Sequence, residues 1–366
     1  MRVLHLLAST GWGGAERMGC TFHRLALEHG LDSRVDAPPL PEMIHGLEKE
    51  LAIRLADPPN RSTWDWAKRA RARRKAFRPD VVHAHLAWPA FAATAWLIAG
   101  SVPLVITFQL LPHEDTWGRD FLVPLECERV LKLMPRLKGA HTYVGLSKGD
   151  VARLREKFPH ANVTVIRNVP PRVPVGAPPP PRLSYPEGAV RLLSVGRLHA
   201  QKGFDRVMKA LADAALRDVA WHWIIVGDGD ERSKLEAQCQ DSGLSSRVTF
   251  FGAVPSHGLF EQADLVLSPS RYEGWPLVPM EAIQAKVPVV VSTIDPHVEL
   301  LGNADVSLLP ADEAQWPRAL LPLLTDAGAR ARLRAAQQAA YPADPHEAAW
   351  QSTREVYDQL FPKTAA

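Results

Sequence analysis

Eight prolines stand between Pro170 and Pro186, four of them consecutive at residues 178–181. Proline has a fixed φ and no backbone N–H, so this density excludes both a helix and a central strand. The segment reads as a semi-rigid extended connector, and it makes the chain fold as two halves. Both halves alternate short apolar runs with helical stretches. Upstream, strand-like runs stand at residues 3–7, 81–85, 104–107, 142–146 and 163–166. Downstream they stand near 191–195, 222–226, 248–251, 265–267 and 287–291. Strands that alternate with helices build parallel sheets covered on both faces. The expected fold class is α/β, with two Rossmann-like domains and a cleft between them. The domains expected are 1–170 and 189–345, joined by a Pro-rich linker at 171–188.

The segment RYEGWPLVPMEA, from Arg271 to Ala282, carries two glutamates with seven residues between them. Pro276 suits a first helical position, where its missing N–H has no partner to lose. Glu273 then lies beside a helix N-terminus, an end that attracts phosphate. Glu281 lies about two turns farther on. A loop carboxylate and a helix carboxylate beside an anion site suit a ligand with hydroxyls and phosphates, such as a nucleotide sugar. The same residues also fit a solvated loop and a surface helix. A second segment follows the strand at 191–195. Its loop places Arg197 and Lys202 beyond the strand's carboxyl end, where open α/β sheets bind ligands. Two fixed cations there can neutralise a diphosphate leaving group without a metal, or simply be exposed loop residues.

Together these segments resemble the retaining glycosyltransferases of family 4, which have the GT-B fold. The likeness runs through SVGRLHAQKGFD, IIVGDGDERSKLE, VTFFGAV, ADLVLSPSRYEGWPLVPMEA and VPVVVS in order, and reaches LLASTGWGGAER at the N-terminus. Weaker echoes are PDVVHAHL, VITF, VGLSKGDVARL and VTVIRNV. The resemblance implies an acceptor-side first domain, a nucleotide-sugar donor domain second, and a last helix (346–366) that packs back on the first. It also implies transfer of a sugar with retention at the anomeric carbon, with no protein nucleophile required. Arg197 and Lys202 would stabilise the departing diphosphate. Glu281 would hold the ribose hydroxyls. Glu273 would hold a donor-sugar hydroxyl, helped by the backbone of Gly274, Trp275, Pro276 and Leu277. Gly13 and Gly14, in the loop begun by Gly11 and Trp12, would face the diphosphate and sugar. A tight strand-to-helix turn asks for the same glycines. Gly227 would lie near the nucleotide, or merely end a strand, and Phe251 to Val254 would lie beside the base.

The chain departs from the family pattern at Gln109, where many members carry a histidine near the reacting sugar. Glutamine can hydrogen-bond a sugar but cannot shuttle a proton; His113, four residues on, would substitute if the loop folds back, but a surface histidine is the preferred reading. His83 and His85 are expected to alternate faces, so that at most one meets the cleft, with a hydrogen-bonded structural role as the default. Lys286 stands where family helices often end in glycine. Residues 68–78 hold seven cations and no acid. Trp66, Ala70 and Phe77 form the stripe expected to pack inward. Lys68, Arg71, Arg74, Lys75 and Arg78 form the opposite face, which suits an anionic membrane surface or a solvated exterior equally. No nucleic-acid recognition module accompanies it.

Composition adds exclusions only. The net charge of the 366 residues is +3, with 46% hydrophobic and 23% charged residues, as in ordinary soluble proteins. Cys20, Cys127 and Cys239 match no metal spacing and read as buried thiols of a reducing compartment. The opening apolar run is short and interrupted by His5, so it reads as a strand and not a signal peptide. The expected protein is a cytoplasmic enzyme, peripheral on the inner membrane face, with no metal and no cofactor. Its partners would be a nucleotide sugar and a glycan or lipid-linked acceptor of the cell envelope. A binding protein without turnover and a nucleotide-sugar epimerase are the alternatives.

Overall fold

The structure is a computed structural model that describes residues 1–8, 13–38, 40–51, 63–86, 92–111, 141–173, 177–302 and 308–361. The chain divides into two compact units. Unit 1 comprises Met1–Pro174 and Asp344–Ala366, and unit 2 comprises Val175–Ala343.

In unit 1 the strands are β1 (Arg2–Ala8), β2 (Asp32–Asp36), β3 (Val81–Leu86), β4 (Leu104–Phe108), β5 (His141–Gly145) and β6 (Asn162–Val165). They form one sheet in the order β2-β1-β3-β4-β5-β6, and every pairing is parallel. Side chains on a strand alternate faces, and here the alternation is legible. Leu4, Leu6, Val82, Ala84, Leu104 and Ile106 share a core with Trp66 and Ala70 of α3 (Thr63–Phe77) and Ile98 of α4 (Ala92–Ala99). Val3, Val81 and Val105 face the other way. They pack with Phe22 and Leu25 of α1 (Gly14–Glu28), and with Trp350, Val356 and Tyr357 from the last helix, Pro345–Gln359. Both sheet faces are covered, which is why most of these strands read as continuous apolar runs. β2 is the exception. It is an edge strand of sequence DSRVD with exposed positions, and it has no apolar run to betray it. Helix α2 (Pro41–Leu51) follows it, and α5 (Lys148–Lys157) follows β5.

Unit 2 repeats the plan with β7 (Val190–Val195), β8 (Trp221–Val226), β9 (Val248–Gly252), β10 (Leu265–Ser268), β11 (Val289–Ser292) and the two-residue β12 (Leu308–Leu309). Their order is β12-β11-β10-β7-β8-β9, again all parallel. The helices are α6 (Phe204–Leu211), α7 (Arg232–Asp241), α8 (Leu277–Gln284), α9 (Asp295–Leu301), α10 (Trp316–Thr325) and α11 (Ala327–Ala340); the last helix of the chain is α12.

Two local expectations change, and the Lys286 departure shows its local cost. The proline segment is not a free spacer along its whole length. Leu183 is buried in the unit 2 core and Gln262 clamps the segment, accepting from Leu183 N–H at 2.8 Å and donating to Pro181 O at 3.1 Å. Pro276 is not the first helical residue. Its ψ of 88° leaves it outside α8 as the N-cap, one residue earlier. Lys286 takes the left-handed conformation, φ 59°, which a β-carbon disfavours by about 1–2 kcal/mol.

Candidate functional site

Two loops of unit 2 are laced together at the carboxyl ends of β7 and β10. The first leaves β7 at Gly196, makes one 3-10 turn over Ala200–Lys202, and enters α6 through Gly203 at φ 66°. A β-carbon on Gly203 would lie 2.2 Å from Pro269 O, so only glycine lets this loop rest on the end of β10. The second loop begins at Pro269. Arg271 is the lace. Its N–H donates to Gln201 O at 2.7 Å, and its guanidinium donates to Ala200 O at 2.9 Å and to both oxygens of Asp205 at 2.7 Å. Burial raises the Asp205 pKa, but the Arg271 hydrogen bonds and charge outweigh it and the net shift is downward. Gln201 donates to Tyr272 O at 3.0 Å, and Arg206 to Pro269 O at 3.1 Å.

This lacing brings Lys202 Nζ to 2.6 Å from Glu273 Oε1. Ser270 Oγ donates to the same oxygen at 2.6 Å. Arg197 is exposed and stands near the Tyr272 phenol, whose pKa is raised chiefly by burial and lowered in part by that guanidinium. Gly274, Trp275 and Pro276 are buried behind Glu273. Pro276 provides no side-chain cap for α8. Pro279 has no N–H and Met280 N–H reaches back to Pro276 O, so Leu277 and Val278 present the open donors of the first turn. Glu281 is half-buried on α8 and helps to raise the pKa of the Tyr341 phenol, after burial.

The other unit 2 candidates have packing roles. A β-carbon on Gly227 would lie 1.8 Å from Gly196 O, so close backbone approach accounts for that glycine. Phe251 and Val254 pack against the apolar core. Phe251 also lines a cavity of about 450 Å³ with Arg182, Tyr185, His222 and Thr249.

In unit 1, Gly13 is the N-cap of α1, and its N–H donates to the Glu16 carboxylate at 2.7 Å. A carboxylate thus already sits on that helix end beside the exposed Gly14. Gln109 follows β4 and is 8% exposed. Asn168, absent from the sequence-derived candidates, donates from Nδ2 to Gln109 Oε1 at 2.7 Å. Among the described residues Gln109 Nε2 and Asn168 Oδ1 have no partner. His113, Gly11, Trp12 and Cys127 lie outside the described residues; Cys20 and Cys239 are buried free thiols.

The expectation that His83 and His85 alternate faces is overturned, while their hydrogen-bonded setting agrees with the expected default. Residues two apart on a strand share a face, and these rings stack with centroids 4.3 Å apart. His5 joins them across the β1–β3 pairing, with Nδ1 3.0 Å from His85 Nε2. His83 Nδ1 lies 2.7 Å from Tyr357 Oη and its Nε2 2.7 Å from Thr107 Oγ1. All three imidazoles are buried and their pKa values fall well below the ordinary range, burial first and mutual repulsion second. Among the described residues they are the one cluster with ligand atoms close enough to share a metal. Both nitrogens of His83 are already bonded, so a metal would have to displace Thr107 or Tyr357.

On α3, Trp66, Ala70 and Phe77 are buried and Lys68, Arg71, Lys75 and Arg78 are exposed. Two cations of the run turn inward: Arg73 to Asp36 at 2.8 Å, and Arg74 to Ile98 O at 3.1 Å.

Two family models cover the units in turn. Residues 12–169 match "Glycosyltransferase Family 4" and residues 181–340 match "Glycosyl transferases group 1". The D-inositol 3-phosphate glycosyltransferase of Xylanimonas cellulosilytica is 30% identical over 74% of this chain and 70% of its own length. The chain belongs to glycosyltransferase family 4. The chain is also 30% identical to the lipopolysaccharide core biosynthesis mannosyltransferase LpcC of Rhizobium leguminosarum bv. viciae, over 36% of this chain and 40% of that one. The chain spans 29% and 65% of the length of two other curated relatives. Its fold is that of Anabaena HepE, solved with UDP and with UDP-glucose: TM-score 0.74, 18% identity, 98% of this chain and 100% of that one. The two parallel six-stranded sheets are thus those of a GT-B glycosyltransferase.

Proposed function

We propose that this glycosyltransferase transfers a sugar, with retention at the anomeric carbon, from a nucleoside diphosphate sugar to a hydroxyl of a cell-envelope glycan or glycolipid. The observation that carries the reading is the 2.6 Å contact of Lys202 with Glu273, beside the uncapped N-terminus of α8. A cation, a carboxylate and open backbone donors meet there. The cation and the helix end suit a diphosphate; the carboxylate suits a sugar hydroxyl. Arg197, on the Lys202 loop, would add charge stabilisation as the diphosphate leaves. Glu281 would accept from the ribose hydroxyls. A phosphate oxygen would take the acceptor's proton, so the scheme requires neither a protein base nor a metal.

The HepE complexes make UDP-glucose the first donor to try. The mannosyltransferase relative favours an envelope acceptor, and the exposed cations of α3 favour docking on an anionic inner membrane face. No described helix is long and apolar enough to cross a membrane. Calorimetry with UDP, then turnover of UDP-glucose, UDP-N-acetylglucosamine and GDP-mannose with and without glycolipid acceptors, tests the reading. Proton NMR of the product reports the anomer. Glu281→Gln should weaken UDP binding by about 1.5–3 kcal/mol. Binding with no turnover would favour a nucleotide-sugar-binding protein. Acceptor-independent release of an epimerised sugar would favour the epimerase.

A further inference from the structure

We infer that Ser270, Ser292 and His297 are positioning residues that hold the Glu273 carboxylate toward a sugar hydroxyl; this rests on the sugar-binding role proposed above for Glu273. The three form a hydrogen-bonded chain that runs from α9, past the ends of β11 and β10, to the carboxylate.

Ser270 is 1% exposed and donates its hydroxyl to Glu273 Oε1 at 2.6 Å. Ser292, the last residue of β11, donates its hydroxyl to Ser270 O and so fixes the peptide that carries Ser270. His297 is fully buried on α9, with Nδ1 2.8 Å from Ser292 O. A carbonyl oxygen only accepts, so Nδ1 carries the proton and Nε2 is a bare lone pair. That Nε2 has no partner among the described residues. An apolar side chain would fill this space without stranding a polar atom, so packing alone does not account for the imidazole. Its particular contribution is the N–H aimed at Ser292. Burial lowers the His297 pKa to about 4, while the nearby Glu273 and Lys202 charges act on it in opposite directions. The imidazole is therefore neutral near pH 7 and adds no competing charge beneath the Lys202–Glu273 pair.

The chain also decides which carboxylate oxygen meets the substrate. Oε1 already accepts from Ser270 and Lys202, each at 2.6 Å. Among the described residues Oε2 has only Gln201 Nε2 at 3.5 Å, too long for a strong hydrogen bond. Oε2 is the atom left to accept from a sugar hydroxyl, and loss of the chain would free the carboxylate to rotate about its last bond.

The test uses the full chain. UDP affinity comes from calorimetry, and UDP release from UDP-glucose, UDP-N-acetylglucosamine and GDP-mannose (GDP release for the last) is followed at saturating donor. S270A should lower kcat about tenfold and leave UDP affinity within twofold. S270T, which keeps the hydroxyl, should recover most of the rate. H297N places an amide N–H where Nδ1 stood and should stay closer to the native rate than H297L. The double variant S270A/E273A should be no slower than E273A, because the serine acts only through the glutamate. Thermal melts confirm that each variant is folded, and S292A probes the same chain at a second point. Near-native kcat in S270A, or additive losses in the double variant, overturns the proposal and leaves the role of Glu273 standing. Near-native kcat in E273A, or no release from any donor by the native chain, overturns the proposal and the proposed site together.

Discussion

The two units share an architecture and differ in where they bury polar groups. Unit 1 places His5, His83, His85, Thr107 and Tyr357 together on one face of its sheet, among apolar neighbours. Unit 2 gathers Gln201, Ser268, Ser270, Ser292 and His297 at or just beyond the ends of its strands. Polar groups in the middle of a covered sheet have one another as partners, since water does not reach them: His83 is bonded at both nitrogens, while His5 Nε2 and His85 Nδ1 have no partner among the described residues. Polar groups beyond the carboxyl ends lie where α/β sheets meet their ligands. The comparison therefore sets the buried polar groups of unit 2 beside the proposed site and those of unit 1 inside its covered sheet, a division that the variants below test.

Acid should separate the units most strongly. The three imidazoles of unit 1 have folded pKa values below their unfolded value of about 6.5. The unfolded chain then binds more protons than the folded one, so stability is complete above pH 6.5 and falls as the pH drops below it. Three such groups cost about 4 kcal/mol per pH unit, a large share of a typical domain's stability. Unit 2 has one fully buried imidazole, His297, and should lose about a third as much. Hydrogen exchange between pH 7 and pH 5, corrected for intrinsic rates, should show unit 1 amides losing protection first. Earlier loss in unit 2 would break the comparison.

Lys202→Ala should act in the reverse sense. Removing a cation that meets developing charge costs roughly a hundredfold or more in rate. Lys202 is partly exposed and its pair is local to the loops, so the thermal midpoint should barely move. A variant that melts early but turns over normally would place Lys202 with the structural groups.

These regions were not equally legible in the sequence. The central strands announced themselves because both sheet faces are covered. Two edge strands did not: β2 is polar and β12 has two residues, whereas the edges β6 and β9 carry legible apolar runs. Lys202 and Glu273 stood in motifs that a resemblance could name, yet their mutual contact depends on Gly203 and on Arg271, which meets Asp205 from 66 positions away in the sequence. Asn168 and Ser270 lay inside recognised motifs without any mark of function. The histidine cluster was missed for a geometric reason. His83 and His85 share a face by strand period alone, but His5 joins them through the β1–β3 register, which no local pattern states.

Tyr357→Phe probes the structural side of the comparison more gently. It removes the hydroxyl 2.7 Å from His83 Nδ1 and leaves that nitrogen buried without a partner. The expected loss is about 1–3 kcal/mol of stability in unit 1, seen as weaker exchange protection in α12 and β3, with kcat unchanged. A fall in kcat at unchanged stability would mean that the cluster serves the reaction.

Gln109→Ala is the smallest expected effect and the one best placed to break the division, because Gln109 is a buried polar group of unit 1 at a strand end. Its Oε1 is taken by Asn168, and its Nε2 has no partner among the described residues. The free donor on Gln109 and the free acceptor on Asn168 match a hydroxyl, which gives one hydrogen bond and takes another. Exchanging the two atoms of both amides leaves the same count, so the match survives either assignment. If the hydroxyl belongs to a sugar, the alanine variant should lose about fivefold in rate, near 1 kcal/mol. Its pH profile should keep the native shape, because no titrating group is removed. Gln109→His should instead add a titration, displaced from about 6.5 by burial. Turnover against pH for the native chain and both variants, with thermal melts in parallel, decides the matter. A slower, equally stable Gln109→Ala would give unit 1 a substrate-facing group and confine the structural assignment to the histidine face. A less stable variant with the native rate would place the Gln109–Asn168 pair beside His83 and Tyr357, as one more polar contact that unit 1 closes on itself.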